Sequence, residues 1–367
     1  MEEQLVKIHK WLYPISFIYG VGVGLRNKLF DWGILQSKSF DIPVICIGNI
    51  AIGGTGKTPH TEYLIKLLQK TLNVAVLSRG YKRHTTGYIQ ANEDSTARSI
   101  GDESFQIKKK FPKVTVAVDE KRVRGIENLC KLEKPKMDVV LLDDAFQHRY
   151  VQAGINILLT DYHRLFCDDT LLPAGRLRES TKGKNRANIV IVTKCPHNIK
   201  PIDFNIIAKS LKLFPYQQLY FSCFKYGNLV PAFPEADTLE ESPVSLSKHT
   251  NILLVTGIAS PAVMIEELKR HTRNIQTLSF DDHHNFKKKD IKHIAEQFDK
   301  LKGSNKLIIT TEKDAARLTD NPALTEELRK HIYILPVEIQ LLQNQQDKFN
   351  QHIISYVRKN KRNNILS

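Results

Sequence analysis

The sequence predicts an α/β protein whose core is a mostly parallel sheet flanked by helices. Between residues 43 and 195, short β-branched runs such as PVICI, DVVLLDD and ANIVIVTK alternate with stretches of helical length. Strands this apolar, separated by helical connections, are typical of a parallel sheet covered on both faces. A second series of the same kind runs from QQLYFSCF to IYILPVEIQLL. This second series predicts a second, smaller α/β domain.

Length and composition indicate a folded, basic protein. The chain has 367 residues, of which 41% are hydrophobic and 25% charged, and this balance excludes the disordered and fibrous classes. The formal net charge of +15 favours an anionic partner, such as a phosphorylated small molecule, nucleic acid or an acidic lipid surface. The five cysteines form no CxxC pair, so we expect reduced thiols in a cytosolic protein.

The first forty residues predict an amphipathic helical segment at a membrane surface. The run WLYPISFIYGVGVGL, residues 11–25, has no charge, but it is shorter than the roughly 20 apolar residues of a spanning helix. Its Trp and Tyr residues, with Lys and Arg at its flanks, are typical of the headgroup region. A helix packed on the protein's own core is the alternative. The helical stripe that we expect is Leu5, Ile8, Leu12, Ile15 and Tyr19.

Composition also predicts where the domains divide. We expect the interfacial segment at 1–40, a core domain at 41–215, a smaller α/β domain at 216–342 and a final helix at 343–367. The stretch from about 225 to 249 is rich in Pro, Ser and acidic residues, which indicates an irregular connection. Phe349, Ile353 and Val357 share one side of the final helix. The sequence leaves open whether this helix packs on the core domain.

A glycine-rich loop, GNIAIGGTGKTPH at 48–60, follows the first strand and precedes a helical stretch. Its end matches G-x-x-x-x-G-K-[ST], the loop whose backbone N–H groups hold nucleotide phosphates. Ala51 replaces the first glycine of that motif. A chance glycine-rich loop would not explain the strand, the turn and the helix together, so the sequence predicts a P-loop NTPase-like core. The predicted nucleotide contacts are Gly53, Gly54, Thr55, Gly56, Lys57 and Thr58.

An acidic pair, Asp143 and Asp144, ends the apolar run VVLL. Such a pair at a strand end is commonly just solvated. A nucleotide loop, however, needs a carboxylate at a neighbouring strand end to hold Mg²⁺ or its waters, and Thr58 would supply a further oxygen. The pair is therefore a predicted metal site. Gln147 and His148 follow closely and could orient water or phosphate oxygens, although a structural role for His148 is equally open.

Transfer of a phosphoryl group to an alcohol requires a base and additional cations. The tripeptide GDE places Asp102 and Glu103 after a glycine, in the kind of tight loop that can direct a carboxylate into a cleft. Basic residues in SRGYKRH, VDEKRVRG and LLPAGRLRES are the candidate cations, with a solvated basic face as the alternative. These are Arg79, Lys82, Arg83, Arg122, Arg124 and Arg178, the last beside Glu179.

The segment SFDDHHNF contains Asp281, Asp282, His283 and His284. A metal cluster is one interpretation, but adjacent side chains rarely contact one ion, and surface polarity is another. We favour a histidine that reaches across the domain cleft and polarises a carboxylate base. The sequence does not decide between His283 and His284.

In order along nearly the whole chain, these motifs and TTEKD resemble those of the tetraacyldisaccharide 4′-kinases, the lipid A 4′-kinases of Gram-negative bacteria. The most selective are PVICIGNIAIGGTGKTP, VLLDDAFQHR and LLPAGRLRE. The resemblance implies transfer of the γ-phosphate of ATP, with Mg²⁺, to the 4′-hydroxyl of a tetraacylated glucosamine disaccharide 1-phosphate, which forms lipid IVA. It also implies a location at the cytosolic face of the inner membrane.

The resemblance assigns roles to individual residues. Asp102 would be the base, His283 its orienting partner, and Lys57 the contact of the β and γ phosphates. The metal ligands would be Thr58, Asp143 and Asp144. Glu103, Arg122, Gln147, Arg178 and Glu179 would lie along the cleft. We expect Gln147, Arg178 and Glu179 to be further nucleotide contacts, and the candidate substrate contacts are Glu103, Arg79, Arg122 and His148.

Two other functions were compared with this one. A nucleotide-switch ATPase or GTPase that acts on a protein or metal partner would also use a GGTGKT loop, but it would give GDE and FDDHH no role. A nucleic-acid-binding module would explain the basic charge, but the sequence lacks basic and aromatic residues interleaved on a strand pair. We therefore expect no nucleic-acid partner.

Overall fold

The computed structural model describes residues 8–234, 246–258, 261–282, 284–319 and 321–363. Within these ranges the larger sheet has nine strands in the order β14-β8-β7-β6-β1-β5-β2-β4-β3. Seven of its strands lie in the first half of the fold: β1 Val44–Asn49, β2 Val74–Ser78, β3 Ile89–Gln90, β4 Thr115–Val118, β5 Val139–Asp143, β6 Ile155–Asp161 and β7 Ile189–Thr193. The other two are β8 Gln218–Tyr226 and β14 Val337–Leu341.

The strand that precedes the glycine-rich loop lies at the centre of this sheet. β1 pairs in parallel with β5 on one side and with β6 on the other, and β1, β2, β5 and β7 are buried at every residue. The register pairs Ile47 with Asp143. Because parallel strands end at the same edge, the glycine-rich loop and the acidic pair lie side by side, where open α/β sheets bind ligands.

Helices cover both faces of the larger sheet. They are α1 Tyr13–Asp31, α2 Lys57–Leu68, α3 Ala97–Ile100, α4 Asp102–Lys110, α5 Arg122–Cys130, α6 Pro201–Leu211 and α11 Gln346–Asn363. α2 buries Leu64, Ile65 and Leu68 against the strands. α4 begins with Asp102 and Glu103 and ends with three lysines, an arrangement that matches the helix dipole at both ends.

A five-stranded sheet forms the second unit of the described chain, in the order β11-β10-β12-β13-β9. Its strands are β9 Val230–Pro231, β10 Asn251–Thr256, β11 Ile275–Ser279, β12 Lys306–Thr310 and β13 Ile332–Ile334. Its helices are α7 Ala262–Lys269, α8 Lys288–Lys300, α9 Glu312–Leu318 and α10 Glu326–Arg329. Ile294 and Phe298 of α8 pack with Leu253 and Ile308 in its core.

The chain changes sheet later than the sequence predicts. β8 hydrogen-bonds with β7, with Ile189 opposite Gln218, so this strand belongs to the larger sheet although it follows residue 215. The change from the larger to the smaller sheet comes after Tyr226, where β8 ends and the irregular stretch begins. β14 then returns beside β8, and α11 buries Phe349 and Ile353 in the core of the larger sheet. This packing answers the question that the sequence left open about the final helix.

The N-terminal helix α1 contacts the protein through few side chains. Ser16 and Phe30 are its buried residues. The Tyr19 hydroxyl donates a hydrogen bond to the backbone oxygen of Arg178 at 2.7 Å. Tyr19 therefore faces the protein and is not part of the exposed apolar stripe that the sequence predicted. The exposed apolar side chains lie on another side: Trp11, Tyr13, Ile15, Phe17, Ile18, Val21 and Leu25. No helix in the described ranges has the length and apolar character needed to cross a membrane.

Candidate active site

The glycine-rich loop is held in place by side chains from two strand ends. Asn49 Nδ2 donates a hydrogen bond to Thr55 Oγ1 at 2.8 Å. Thr193 Oγ1 donates one to the backbone oxygen of Thr55 at 2.9 Å. Gly53 and Gly56 have φ angles of 118° and 82°, which favour glycine. The contacts with Thr55 hold the loop between the ends of β1 and β7.

Lys57 and Thr58 are the first two residues of α2, so their backbone N–H groups lie at the positive end of a helix. That position is a ready anion site. His60, which the sequence did not single out, anchors it. Its Nδ1 lies 2.7 Å from the Gly56 oxygen and its Nε2 lies 3.0 Å from Ser222 Oγ of β8. Burial lowers the pKa of His60 to about 4, so its imidazole stays neutral at physiological pH.

The acidic pair lies beside the loop, and its two carboxyl groups differ in environment. Asp143 is buried and accepts a hydrogen bond from Thr61 Oγ1 at 2.9 Å. Burial, together with the negative charges of Glu103 and Asp144, raises its pKa to about 7. Asp144 has Lys57 Nζ at 3.6 Å and Arg178 Nη1 at 3.2 Å. Burial opposes the ionisation of Asp144, but these two cations outweigh it and lower its pKa.

These residues fit a magnesium ion. Thr58, Asp143 and Asp144 offer oxygen donors, which Mg²⁺ prefers, and it completes its shell with waters and substrate phosphates. Burial, followed by the negative charges of Glu103 and Asp144, raises the pKa of Asp143, and a divalent cation would neutralise part of this negative charge. Across the residues that the structure describes, no three or more His, Cys, Asp or Glu side chains are grouped to hold a metal. This finding is compatible with Mg²⁺, which needs one or two carboxylates from the protein.

The loop that follows Gly175 brings Arg178 to Asp144. Glu179, which was expected along the cleft, forms its hydrogen bonds within the protein. Glu179 is buried and accepts hydrogen bonds from Gln147 at 2.9 Å, from Arg186 at 2.8 Å and from Asn27 of α1 at 3.3 Å. Gln147 also donates to the Asn49 oxygen at 2.7 Å. Through these hydrogen bonds, Glu179 and Gln147 connect α1 and the Arg178 loop to the start of the phosphate loop.

Arg79, Arg122 and His148 come together next to the acidic pair. Arg122 is buried, its Nη1 donates to the Asp119 oxygen, and its Nε has no hydrogen-bond partner among the described residues. Burial lowers the pKa of Arg122 to about 10, although Asp143 and Asp144 act in the opposite direction. Burial also lowers the pKa of His148 to about 4, with smaller effects from Arg122, Arg26 and Arg79. These groups form a cationic cluster around a neutral imidazole.

Two other predicted cations bind carboxylates outside the site. Arg83 forms an ion pair with Glu120 and donates to the Gly87 oxygen at 2.6 Å. Arg124 donates to Asp119 at 2.7 Å and 2.8 Å. Both therefore have carboxylate partners within the protein, which the spacing of basic residues in the sequence could not reveal.

Asp102 opens α4 at the junction of the two sheets. Gly101 precedes it with φ 85°, and a Cβ at this position would lie 2.9 Å from the Tyr81 oxygen. Asp102 Oδ2 accepts a hydrogen bond from Arg317 Nε at 2.8 Å, and Glu103 lies 3.5 Å from Lys313 Nζ. Both cations belong to α9 of the smaller unit. The motif TTEKD ends three residues before Arg317, but the sequence did not predict that Arg317 contacts Asp102.

The histidine partner predicted for Asp102, His283, lies outside the described residues. Its neighbours are described: Asp282 lies 3.5 Å from Lys313 Nζ. His284 Nε2 lies 2.9 Å from Asp290 Oδ2, and its ring stacks on Phe280 with centroids 4.8 Å apart. His284 is therefore engaged within the smaller unit, on the side of α8.

Comparison with known proteins gives consistent matches. A family model described as tetraacyldisaccharide-1-P 4′-kinase matches residues 8–358. A Bacteroides thetaiotaomicron protein named tetraacyldisaccharide 4′-kinase is 67% identical over 372 aligned positions, which cover 100% of this chain and 98% of the relative. A Phocaeicola vulgatus protein of the same name is 56% identical over 368 positions, which cover 100% of both chains.

A solved structure shares the fold. The crystal structure of the "apo" form of LpxK from Aquifex aeolicus in complex with ATP is similar with a TM-score of 0.71 and 27% sequence identity. The match covers 95% of this chain and 99% of that one. With the matches in sequence, it shows that the chain belongs to the tetraacyldisaccharide-1-P 4′-kinase family and is an enzyme that transfers phosphate.

Proposed function

We propose how this lipid A 4′-kinase arranges the transfer of the γ-phosphate of ATP to the 4′-hydroxyl of a tetraacylated glucosamine disaccharide 1-phosphate. The main support is the approach of Lys57 Nζ to Asp144 Oδ1, at 3.6 Å, where two neighbouring strands end. This approach supports a site in which Lys57 binds phosphate and Asp144 binds the metal. The related LpxK structure from Aquifex aeolicus contains ATP, which supports ATP as the phosphate donor here.

In this proposal the phosphate loop holds the triphosphate. The backbone N–H groups of residues 53–58 and the Lys57 ammonium contact the β and γ phosphates, and Asn49 and Thr193 keep Thr55 in place. Arg178 adds a second cation beside Asp144. Mg²⁺, when held by Thr58, Asp143 and Asp144, would neutralise negative charge on the phosphates. Fixed cations of this kind stabilise the charge that develops during transfer.

Asp102 is the proposed base. It accepts the proton of the 4′-hydroxyl while that oxygen forms a bond to the γ-phosphorus, and the bond from the γ-phosphorus to the β–γ bridging oxygen breaks to release ADP. Glu103, which adjoins Asp102, acts on the charge of Asp143, so the start of α4 faces the acidic pair. His283 is the proposed orienting partner, because Asp290 engages the ring of His284.

We further propose that Arg79, Arg122 and His148 contact the substrate beside the acidic pair. The unpartnered Nε of Arg122 and the neutral imidazole of His148 offer hydrogen bonds to sugar or phosphate oxygens. The cluster adjoins Arg26 of α1. A substrate that enters along α1 would therefore reach these groups before the γ-phosphate.

The N-terminal helix is the proposed membrane contact, at the cytosolic face of the inner membrane. Trp11, Phe17 and Ile18 are 76%, 73% and 71% exposed. Lys10 precedes α1 and Lys28 lies in its last turn, so basic residues flank the apolar face, as in helices that lie in the headgroup region. Tyr19 of the same helix contacts the Arg178 loop, so the membrane surface and the acidic pair would be close together.

We retain the proposal of a core domain and a smaller α/β domain, with the division after Tyr226 rather than near residue 215. The smaller unit contributes Arg317 and Lys313 to the start of α4. Closure of the two units would bring the His283 segment to Asp102 and exclude water, which otherwise competes as the acceptor.

The test is a transfer assay with purified protein, Mg²⁺, ATP and the disaccharide 1-phosphate. Mass spectrometry should show that the lipid gains a single phosphate, and that the Asp102→Asn variant forms far less product while it keeps its melting temperature. ATP hydrolysis without lipid phosphorylation would instead favour the nucleotide-switch alternative. An Asp102→Asn variant of full activity would reject Asp102 as the base.

A further inference from the structure

Arg317 of α9 lies between two carboxylates, one from each structural unit. Its Nε and Nη2 both lie 2.8 Å from Asp102 Oδ2 of α4. Its Nη1 lies 2.9 Å from Asp314 Oδ1. The Arg317 side chain is only 3% exposed. The guanidinium therefore bridges the proposed base and an acid of the smaller unit inside the protein.

Asp314 fixes the orientation of this bridge. Its side chain is fully buried, and its Oδ2 accepts hydrogen bonds from Gly257 N at 2.9 Å and Thr311 Oγ1 at 2.8 Å. Arg317 cannot turn away without leaving a buried carboxylate unpaired, which is strongly unfavourable. Gly257, which follows β10, thus holds Asp314 in place, and Asp314 sets the position of the Arg317 guanidinium relative to Asp102.

The smaller unit brings a second cation to this junction. Lys313, also on α9, lies 3.5 Å from both Glu103 and Asp282. Glu103 is on the same helix as Asp102 and adds negative charge beside it. Arg317 therefore contacts the Asp102 carboxylate directly, whereas Lys313 contacts the neighbouring Glu103.

We propose that Arg317 is a positioning residue for the phosphoryl transfer, which directs the Asp102 carboxylate while the two units are together. This inference rests on the proposed role of Asp102 as the base. It means that the smaller unit controls the base through a cation as well as through the predicted histidine. An arginine suits this task because its planar fork bonds two carboxylates at once, whereas a lysine has a single ammonium group.

The test compares Arg317→Met and Arg317→Lys with the wild-type protein. Arg270→Met is the matched control, because it makes the same change on the smaller unit, where Arg270 is 60% exposed and pairs with Glu267. For each protein, kcat, the KM for ATP and the pH dependence of kcat/KM are measured, together with the melting temperature.

We expect Arg317→Met to lower kcat by about 10²-fold, the range of one positioned base, and to leave the KM for ATP nearly unchanged. The acidic limb of its pH profile should move up by about one pH unit, because loss of a contacting cation favours the protonated carboxyl. Arg317→Lys should recover part of both losses. Arg270→Met should match the wild-type protein.

A merely structural role would not move the pH profile. Wild-type kcat and an unmoved acidic limb in folded Arg317→Met would overturn the inference, while an inactive Asp102→Asn would still uphold the proposed base. If Arg317→Met does not fold, Arg317→Lys decides: reduced kcat with an unchanged KM for ATP supports the inference, and wild-type behaviour rejects it. Full activity of Asp102→Asn would reject the proposed base itself.

Discussion

Lys57 and Asp144 approach to 3.6 Å although 86 residues separate them in the chain, because the strands that precede them are hydrogen-bonded neighbours in one parallel sheet. Arg178 reaches the same carboxylate from a third segment, at 3.2 Å. Asp144 itself has φ 47°, an uncommon conformation that residues at functional sites often adopt. The pair therefore marks the point where nucleotide phosphate and metal are expected to meet.

Replacing Lys57 with Met should abolish most phosphoryl transfer. The variant loses the proposed phosphate contact, which is also one of the two cationic partners of Asp144, so we expect kcat to fall by about 10²- to 10³-fold. Transfer of labelled phosphate to the lipid measures the loss, and circular dichroism checks the fold. Lys66→Met is the control, because Lys66 lies on the same helix and pairs at the surface with Glu338. A Lys57→Met variant with more than a tenth of wild-type kcat would contradict the assigned role.

Without Mg²⁺, Asp143 should contribute less to stability as the pH rises from about 4 to 7. The folded-state pKa of Asp143 is about 7, against an ordinary value of 3.8. At this carboxyl the folded protein therefore binds more protons than the unfolded chain in this window, and the contribution of Asp143 is lost as the pH passes 7. His60 and His148, with lowered pKa values of about 4, act in the opposite direction, so the effect of Asp143 is measured as the difference between wild-type protein and Asp143→Asn. Mg²⁺ should raise the melting temperature most above pH 7, where Asp143 is ionised.

The Asp143→Asn variant separates the effect of Asp143 on stability from the effect of a second buried acid, Glu62. Burial and the nearby Glu312 raise the pKa of Glu62 to about 7 as well, so Glu62 adds to the same pH dependence. We expect Asp143→Asn to remove the dependence on Mg²⁺, and Glu62→Gln to keep it while flattening the pH curve. Thermal melts from pH 4 to 8, with and without Mg²⁺, measure both. A Mg²⁺ effect that persists in Asp143→Asn would argue against a metal site at this residue.

The sequence revealed the parts of the site that are continuous in the chain. The loop that ends at Thr58 and the pair at Asp143 each follow an apolar strand, so residue type and strand end together predict their position. His60 and Arg317 were missed because their roles depend on partners more than 150 residues away, Ser222 and Asp102. Such contacts arise from the tertiary arrangement of elements, which no local pattern records.

The exposed face of α1 should determine binding to lipid vesicles. Phe17→Glu with Ile18→Glu places two charges where apolar side chains are more than 70% exposed, so the folded protein should stay stable. We expect vesicle binding to fall by at least about tenfold, because each apolar side chain buried in lipid contributes on the order of 1.5 to 3 kcal/mol. Flotation with phosphatidylethanolamine–phosphatidylglycerol vesicles measures it.

The matched control for this face is Ile202→Glu with Ile206→Glu on α6, where both side chains are similarly exposed at 59% and 55%. These changes add the same charge on a different helix of the larger unit. Vesicle binding should remain at the wild-type level in the control. Equal losses in both double variants would show that general charge, and not α1, determines the binding.

Gly101→Ala should impair catalysis more than nucleotide binding. Gly101 has φ 85°, and a Cβ there would lie 2.9 Å from the Tyr81 oxygen, so the alanine variant must move the turn that starts α4 and presents Asp102. We expect a loss of about 1 to 3 kcal/mol in stability and a lower kcat with an unchanged KM for ATP. Gly22→Ala is the control, because no atom lies within 4 Å of its added Cβ and alanine favours helix. Kinetics and urea unfolding of both variants measure these effects, and a Gly101→Ala enzyme with wild-type kcat would show that this turn does not set the position of Asp102.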